Sequence, residues 1–252
     1  MSMSLYVMTH KIIKNKFPKD RKIMLVGAFD KVLPQRFFSD CGEKQKNISN
    51  KNYSFCELTG LYFMVQNDDA EILGLEHYRR LFFKRKFFLF KYPFLKQKDI
   101  EKLLKNYDLI LPQKSYMGCS VFEQYKKEHI IDDMLKIKDI ILKKYPDYIK
   151  SFENIMNQNS MYFCNMFIGK SKIIKEYAKW VFDILFELEK QIKIDDRDDY
   201  QKRVFGFLSE RLFNVWIDYH KKLKIIEKPV VLMEDSFLKT QVRRLKNIFK
   251  KS

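Results

Sequence analysis

Glycine and proline are scarce in this sequence, which has seven glycines and six prolines among 252 residues. Neither a GxGxxG nor a GxxxxGK(S/T) pattern occurs, so glycine-rich phosphate-binding loops of these two types are excluded. The four cysteines form no CxxC pair, and the four histidines form no HxH or HExxH pattern. We therefore interpret the cysteines as reduced thiols and expect neither a disulfide framework nor a zinc site.

Long apolar runs are also missing, and no membrane-spanning helix is expected because no stretch approaches 18 uninterrupted apolar residues. The early apolar run Leu5–Met8 is too short for the core of a signal peptide. Acidic residues are outnumbered, since 32 Asp and Glu face 49 Lys and Arg, giving a formal charge of +17. Such an excess favours anionic partners such as nucleic acid, anionic membranes or phosphorylated substrates. We expect a soluble, basic, intracellular protein.

Apolar residues are plentiful at 46%, which is enough for a large core. The predicted strands cover 5–9, 24–29, 107–112, 161–168 and 224–233, in addition to the stretch described next. The predicted helices cover 54–67, 99–106, 120–144, 148–157, 172–192 and 200–222. Strands and helices alternate without an internal repeat, which predicts an α/β fold.

The stretch Glu71–Phe83, EILGLEHYRRLFF, changes abruptly from apolar to polar. This pattern predicts a buried strand that delivers polar side chains at its carboxyl end, where ligands bind in open α/β sheets. The adjacent Arg79 and Arg80 carry planar, permanently charged groups that suit phosphate. The alternative is a strand followed by a solvated basic turn.

Two side-chain patterns fall on predicted helices. Ser54 and Glu57 have the spacing of a capping box at a helix start. Tyr125, His129 and Asp133 are spaced at i, i+4 and i+8, which places them on one face of a continuous helix. The alternative for this trio is an exposed or half-buried polar stripe without a chemical role.

Polar residues also interrupt two apolar stretches. Glu210 and Arg211 lie among apolar residues in FGFLSERLFNVW, and Asn165 interrupts the strand-like MYFCNMFI. Charged and amide groups are seldom buried unless they are paired or functional. The alternative for Glu210 and Arg211 is an internal ion pair on a core helix.

Taken together, these blocks resemble a bacterial family of domains of unknown function associated with capsular and exopolysaccharide glycosyltransferases. The matching blocks are ISNKNYSFCELTGLYFMVQN (48–67), LGLEHYRRLF (73–82), YDLILP (107–112), the QY…H…D pattern (124–133), YFCNMFIGK (162–170) and RVFGFLSERLFNVW (203–216). The resemblance implies a GT-A-like glycosyltransferase fold, with a Rossmann-like central sheet flanked by helices. It implies a single domain over 1–235, with a nucleotide-binding half at about 1–115 and an acceptor half at about 116–235.

The resemblance further implies transfer of galactofuranose or another hexose from a nucleotide diphosphate sugar, expected to be a UDP-sugar. The acceptor would be a lipid-linked glycan in capsule, exopolysaccharide or O-antigen synthesis. The residues expected to bind the donor or its diphosphate are His10, Lys11, Glu57, His77, Tyr78, Arg79, Arg80, Asn165 and Arg211. Glu210 or His129 would accept the acceptor proton in an inverting transfer, and Asp133 could orient the histidine.

Most glycosyltransferases of this type end the central strand in a metal-binding Asp-x-Asp, whereas this sequence has His77–Arg80 there. We assign no metal ligand, although a divalent metal remains open as a cofactor. The acidic clusters at 68–69 and 195–199 follow no hydrophobic strand, and we interpret them as solvated turns. Without a metal, Arg79 or Arg80 would stabilise the charge on the leaving diphosphate.

A second hypothesis is a non-enzymatic nucleic-acid-binding protein, suggested by the net charge and by the basic and aromatic segment 77–98. The sequence has no RRM, helix-turn-helix or zinc-finger signature, and this absence, like the polar cluster at a strand end, disfavours the hypothesis. We therefore expect no nucleic-acid partner.

The final segment, 236–252, has the pattern of a basic amphipathic helix. Its apolar stripe consists of Leu238, Val242, Leu245 and Phe249, while basic residues occupy the other faces. Such helices lie in the interface of anionic membranes, which predicts a peripheral location at the inner face of the cell membrane. The alternative is a helix that packs on the domain with a solvated basic side.

Overall fold

A mixed sheet of nine strands forms the centre of the computed structural model, which describes residues 1–13, 17–29, 31–42, 45–84 and 94–233. The strands are β1 (Met3–Thr9), β2 (Arg21–Leu25), β3 (Phe37–Ser39), β4 (Ile72–His77), β5 (Arg80–Phe82), β6 (Leu109–Pro112), β7 (Ser115–Tyr116), β8 (Ser160–Met161), β9 (Phe167–Lys170), β10 (Ile225–Lys228) and β11 (Val230–Leu232). The short strands β7 and β8 pair only with each other.

Eight α-helices of the described chain cover the sheet and connect its strands. They are α1 (Asn52–Phe55), α2 (Leu58–Asn67), α3 (Gln97–Leu104), α4 (Val121–Glu128), α5 (Ile131–Lys144), α6 (Ile149–Asn157), α7 (Ser171–Glu189) and α8 (Val204–Tyr219). The longest, α7, and the strongly apolar α8 contribute large buried side chains to the main core. None of the helices that the structure describes is long and apolar enough to cross a bilayer.

The sheet order is β10-β6-β9-β4-β1-β2-β3, and β1 pairs in parallel with both β2 and β4. The strands β2 and β3 therefore lie on one side of β1, and the next strand in the chain, β4, lies on the other. The carboxyl ends of β1 and β4 meet at this switch point, which is where open α/β sheets bind ligands. The antiparallel β9 separates β4 from β6. At the carboxyl end of β4, the hairpin strand β5 joins it through the His77–Arg80 pair, and β11 pairs with β5. The α/β class and the helix-flanked, Rossmann-like sheet expected from the sequence are confirmed.

Close packing explains a glycine in the centre of β4. A Cβ atom on Gly74 would lie 2.7 Å from the Leu5 Cδ2 atom on β1 and 3.0 Å from the Ile168 Cγ1 atom on β9. A distance of 2.7 Å is shorter than carbon–carbon contact allows. Gly74 therefore lets the two neighbouring strands keep large side chains on both sides of the central strand.

Three of the predicted elements were wrong in the same way, because the chain breaks within them. The helix expected over 54–67 is two helices separated at Cys56, whose φ is +51°. The helix over 120–144 ends at His129, which is extended at φ −139° and ψ 174°. The strand over 161–168 is interrupted at Cys164 and Asn165, which have φ values of +74° and +45°. Apolar periodicity continues across all three breaks, so the pattern alone does not reveal them.

A buried ion pair fixes the end of β4. The Glu76 carboxylate accepts a hydrogen bond of 2.7 Å from the Nε atom of Arg21 and one of 2.8 Å from the backbone N–H of Phe82. Arg21 also donates to the carbonyl oxygen of Leu95 at 2.8 Å. Burial alone would lower the pKa of Arg21, but the Glu76 carboxylate more than compensates and raises it. This pair holds β2, the β4–β5 hairpin and the segment before α3 together.

Two predicted features lie outside the described residues. These are the basic tail 236–252 and the central part, 85–93, of the basic and aromatic segment. The membrane role of the tail therefore stays a prediction.

Candidate active site

A cleft of about 460 Å³ opens at the switch point between β1 and β4. Six of the residues expected to bind the donor line it, namely His10, Glu57, His77, Tyr78, Arg79 and Arg80. They come from the ends of β1 and β4, from the β4–β5 turn and from the break between α1 and α2. Segments that are distant in sequence thus meet where the fold predicts a ligand site.

The β4–β5 turn presents the paired arginines to the cleft. The backbone N–H of Tyr78 donates to the carbonyl oxygen of Met8 at 3.0 Å, which ties the turn to β1. The Arg79 guanidinium lies 5.1 Å from the centre of the Tyr78 ring, and the Lys11 ammonium lies 5.5 Å from it. Lys11 is exposed beside the cleft and is not among its lining residues.

Arg203 adds a further arginine to the lining and was missed by the sequence prediction. It precedes α8, lies 5.3 Å from the Phe207 ring centre, and donates from Nε to the Cys56 Sγ atom at 3.3 Å. Asn52 and Cys56 in the lining were also missed. Asn52, Cys56 and Arg203 all lie in the blocks that carry the family resemblance, and this was the sequence feature from which they could have been predicted.

The loop after β2 is held against the cleft by the buried carboxylate of Asp40. It accepts hydrogen bonds from the Gly27 backbone N–H at 2.8 Å, Ser49 Oγ at 2.5 Å and Thr59 Oγ1 at 2.6 Å. Gly27 has a φ of +66°, and a Cβ atom there would lie 2.7 Å from Asn52 Oδ1. Glycine is therefore required at position 27 for two reasons, the positive φ and the lack of space for a Cβ atom.

Glu57 provides a carboxylate in the cleft lining. It is the residue before α2, but it makes no capping bond, and Ser54 lies within α1 with its Oγ donating to the carbonyl of Lys51 at 3.3 Å. The predicted capping box is therefore wrong. The Glu57 Oε1 atom instead accepts a hydrogen bond of 2.7 Å from Asn165 Nδ2.

Burial raises the pKa of Glu57, and three neighbours oppose the increase. Asn165 stabilises the carboxylate by hydrogen bonding, and the charges of Arg203 and Arg80 attract it. The remaining increase favours protonation at a higher pH than for an ordinary glutamate. The raised pKa makes Glu57 a stronger proton acceptor than an ordinary glutamate.

Asn165 has a fixed orientation. Its Nδ2 atom also donates to Ser209 Oγ at 2.8 Å, while Ser209 Oγ donates to the Gly206 carbonyl at 2.8 Å. Because the Ser209 proton is committed to that carbonyl, Ser209 can only accept from Asn165. The buried Asn165 Oδ1 atom has no hydrogen-bond partner within the described chain.

Glu210 lies behind the cleft lining. Its Oε1 atom accepts a hydrogen bond of 2.8 Å from the Cys164 backbone N–H, and its Oε2 atom lies 3.2 Å from Arg211 Nη1. Burial raises the pKa of Glu210, and the positive charge of Arg211 opposes this shift. Neighbouring residues of one left-handed turn, Cys164 and Asn165, thus donate to Glu210 and Glu57 respectively.

His77 is neutral and has a defined tautomer. Its Nε2 atom lies 2.5 Å from the Cys164 carbonyl oxygen, which can only accept, so Nε2 carries the proton. Burial lowers the pKa of His77 to about 4, although the hydrogen bond to Cys164 opposes the shift. His77 therefore supports the turn at Cys164 and Asn165, whose N–H groups donate to the Glu210 and Glu57 carboxylates.

Arg211 is buried and lies outside the cleft lining. Besides pairing with Glu210, it donates to Gln124 and to the carbonyl of Phe207 at 2.9 Å. Its geometry is that of an internal group that holds Glu210, so it does not contact the space where a donor would bind. The internal ion pair expected as the alternative for Glu210 and Arg211 is present.

His129 and Asp133 do not share a helix face, because α4 ends between them. The His129 ring stacks on Phe207 at 4.1 Å, and burial, followed by the charge of Arg211, lowers the pKa of His129 to about 4. Asp133 is bound by both terminal nitrogens of Arg197, at 2.6 and 2.8 Å. The prediction that Asp133 orients His129 is therefore wrong, and neither residue lines the cleft.

The described residues do not fit a divalent metal at this edge of the sheet. Among them, no group of three or more His, Cys, Asp or Glu side chains has the arrangement of a metal site. The acidic residue of β4 nearest its carboxyl end, Glu76, is occupied by Arg21. We therefore derive no chemical step through a metal.

The strand order and the cleft between β1 and β4 define a mixed α/β protein of the Rossmann-like type. Residues 4–222 match DUF4422, described as a domain of unknown function, and the chain belongs to this family. It is also similar to the solved apo structure of WbbM, a bifunctional glycosyltransferase, with a TM-score of 0.83 and 25% sequence identity.

That similarity covers 93% of this chain but only 46% of the WbbM chain, so this protein spans less than half the length of its structural relative. No match was found among curated proteins. The family expected from the sequence is confirmed, and WbbM connects the fold to a glycosyltransferase.

Proposed function

We propose that this protein is a glycosyltransferase that transfers galactofuranose or another hexose from a UDP-sugar to a lipid-linked glycan acceptor. The observation that carries the proposal is the cleft itself, which combines three arginines with a partly buried carboxylate at the switch point of the sheet. The similarity to WbbM supports the reaction class. Capsule, exopolysaccharide or O-antigen synthesis is the corresponding biological setting.

The arginines suit the leaving group of this reaction. Cleavage of the bond between the sugar and UDP leaves negative charge on the diphosphate, and positioned cations stabilise that charge. Arg79, Arg80 and Arg203 line one cleft and can donate charge-assisted hydrogen bonds to phosphate oxygens. We assign the diphosphate to this side of the cleft.

Glu57 is the better candidate for proton transfer. In an inverting transfer, the acceptor hydroxyl loses its proton as it attacks the anomeric carbon, and a carboxylate in the cleft can receive it. Glu57 lines the cleft, whereas Glu210 is occupied behind it by Cys164 and Arg211. We therefore propose Glu57 as the base and Glu210 as a positioning residue, which revises the role expected for Glu210 from the sequence.

The proposed acceptor is anchored in a membrane by its lipid. A lipid-linked glycan is presented at a bilayer surface, so the enzyme is proposed to act as a peripheral protein at the inner face of the cell membrane. The net charge of +17 and the basic tail 236–252 are consistent with an anionic surface.

The proposal is tested by thermal shift and calorimetric titration with UDP, UDP-glucose, both ring forms of UDP-galactose and GDP-mannose, with and without divalent metal. Arg80→Ala should weaken binding of the preferred nucleotide by about 1–3 kcal/mol, because a charge-assisted hydrogen bond is lost. The matched control is Arg36→Ala, an exposed arginine outside the cleft. Binding to oligonucleotides without binding to any nucleotide sugar would reject the proposal in favour of a nucleic-acid-binding protein.

A further inference from the structure

Exposed apolar side chains are unevenly distributed over the described chain. Six large hydrophobic residues are at least half exposed, and all six lie within the first 53 residues. Among them, Ile12 is 58% exposed, Phe29 59% and Val32 98%. In the described part beyond residue 115, no large hydrophobic residue exceeds the 47% of Tyr200. Scattered exposed apolar residues are ordinary in proteins, so their grouping is the informative feature.

Ile12, Phe29 and Val32, which we call the rim patch, lie on the loops that follow β1 and β2. These parallel strands are adjacent, with Thr9 opposite Leu25, so both loops leave the same edge of the sheet. The cleft opens at that edge. The patch therefore lies beside the entrance to the proposed active site.

Buried neighbours hold the two loops against the wall of the cleft. Ile13 of the first loop and Ala28 of the second are buried in one apolar cluster with Tyr78, and Leu33 packs against that cluster. Since Tyr78 also lines the cleft, the rim patch rests on the same small core as the proposed donor site.

Basic residues accompany the patch. Lys11 precedes Ile12, and Lys31 precedes Val32. Both lysines are exposed, and Lys11 Nζ lies 5.5 Å from the centre of the Tyr78 ring in the cleft lining. Burial lowers the pKa of His10 in the same lining, and the charges of Lys11 and Lys31 lower it further. Exposed apolar side chains next to lysines are the combination by which peripheral proteins insert into the interface of anionic bilayers.

We propose that the rim patch is a docking surface for an anionic phospholipid bilayer, so that the cleft opens towards the headgroup layer. This inference rests on the proposed function, because it brings the donor site to the depth where a lipid-linked acceptor carries its sugar. A second copy of the chain fits less well, since a twofold contact through this patch would bring the same lysines together.

The test is co-sedimentation of the full chain with vesicles of phosphatidylglycerol and phosphatidylcholine, compared with vesicles of phosphatidylcholine alone. A triple variant, Ile12→Ser, Phe29→Ser and Val32→Ser, should lower the partition coefficient on the anionic vesicles by about tenfold or more. The matched control is the triple variant Ile130→Ser, Leu135→Ser and Leu142→Ser, which changes three exposed apolar residues at or within α5 and should bind as wild type.

A separate pair of variants tests the contribution of lysine charge to vesicle binding. Lys31→Gln should lower partitioning on anionic vesicles about fivefold at low salt, whereas Lys126→Gln on α4 should leave it unchanged. Both lysines are exposed. A loss of binding with Lys126→Gln as large as that with Lys31→Gln would overturn the assignment of this surface.

Unchanged partitioning of the rim-patch variant would overturn the inference, as would equal loss in the α5 control. A wild-type dimer that the rim-patch variant converts to a monomer would assign the patch to self-association and also overturn it. UDP titration in solution separates this result from the proposed function. Lost vesicle binding with retained UDP binding supports the inference, while absence of UDP binding in wild type rejects the proposed donor site whatever the vesicles show.

Discussion

Two clusters of buried polar groups lie close to the carboxyl end of the central strand, and they differ in construction. In the first, the Glu76 carboxylate is bound by Arg21 and by the backbone of Phe82, and both charged side chains are fully buried. In the second, Glu57 and Glu210 accept hydrogen bonds from the neighbouring residues Asn165 and Cys164. Neither Glu57 nor Glu210 is as completely enclosed as Glu76.

The second cluster carries backbone strain that the first lacks. The described chain has three non-glycine residues with positive φ, namely Cys56, Cys164 and Asn165, and all three belong to the surroundings of Glu57 and Glu210. Buried atoms without a hydrogen-bond partner in the described chain occur in both clusters, Arg21 Nη1 in the first and Asn165 Oδ1 in the second, so the difference between them lies in the backbone. Strained backbone clusters at functional sites, where the surrounding structure holds it in place for binding or reaction. We therefore interpret the Arg21–Glu76 cluster as a stabilising element and propose that the Glu57 cluster takes part in the reaction.

The largest effect is expected from Glu76→Gln. Removing the buried charge of Glu76 leaves the buried Arg21 with only the Asp20 carboxylate, 3.0 Å away, as a partner, and should lower the free energy of unfolding by about 3 kcal/mol. Chemical denaturation measures the change, and Glu71→Gln is the control because that carboxylate is exposed. A loss below about 1 kcal/mol would show that the first cluster is not a stabilising element.

A smaller loss of the free energy of unfolding is expected when the pH is lowered. Because the pKa of His77 is about 4 when folded and about 6.5 when unfolded, the unfolded chain binds more protons between these values. Stability is therefore present above about pH 6.5 and is lost as the pH falls towards 4. His77→Gln should remove about 2 kcal/mol of that loss, measured by denaturation at pH 7 and pH 4.5.

Part of the acid loss should remain in the His77→Gln variant, because burial also lowers the pKa of His129 to about 4. The raised pKa values of Glu57 and Glu210 act in the opposite direction, since their protonation favours the folded state. An identical pH dependence in wild type and variant would contradict the assignment of a neutral His77.

The smallest expected change in stability comes from the backbone strain at Cys164. At its φ of +74° a glycine is unstrained, so Cys164→Gly should be more stable than Cys164→Ala by about 1 kcal/mol. The same pair of substitutions at the exposed Cys119 should show no such preference for glycine. If alanine is equal or better at position 164, the turn is not strained.

The sequence predicted the sheet class, the central strand and six of the thirteen residues that line the cleft, mainly because these depend on local patterns. An apolar run ending in HYRR identifies both the strand and the edge at which its polar residues lie. The switch point then follows from the usual topology of α/β folds. Positions such as His10 and Arg80 were therefore placed at the site from sequence and family resemblance together.

The predictions that were wrong share a physical cause. The breaks at Cys56, His129 and Cys164 contain no proline or glycine, so the local sequence does not reveal them. The structure at Cys164 depends on hydrogen bonds to Glu210 and His77, which are distant in sequence. Arg203 was missed as a lining residue for the same reason, because its contact with Cys56 joins segments 147 residues apart.

The roles of the two carboxylates are tested most directly by comparing Glu57→Gln with Glu210→Gln in a transfer assay, using the preferred nucleotide sugar and a lipid-diphosphate glycan acceptor. Glutamine preserves size and hydrogen-bond acceptance while removing the proton-accepting charge. We predict that Glu57→Gln lowers kcat by about 10²–10³-fold, with nucleotide affinity and unfolding free energy close to wild type. Glu210→Gln should lower kcat by no more than about tenfold, because it acts through the turn at Cys164. Full turnover by Glu57→Gln, or a much larger loss with Glu210→Gln, would contradict the assignment of Glu57 as the base.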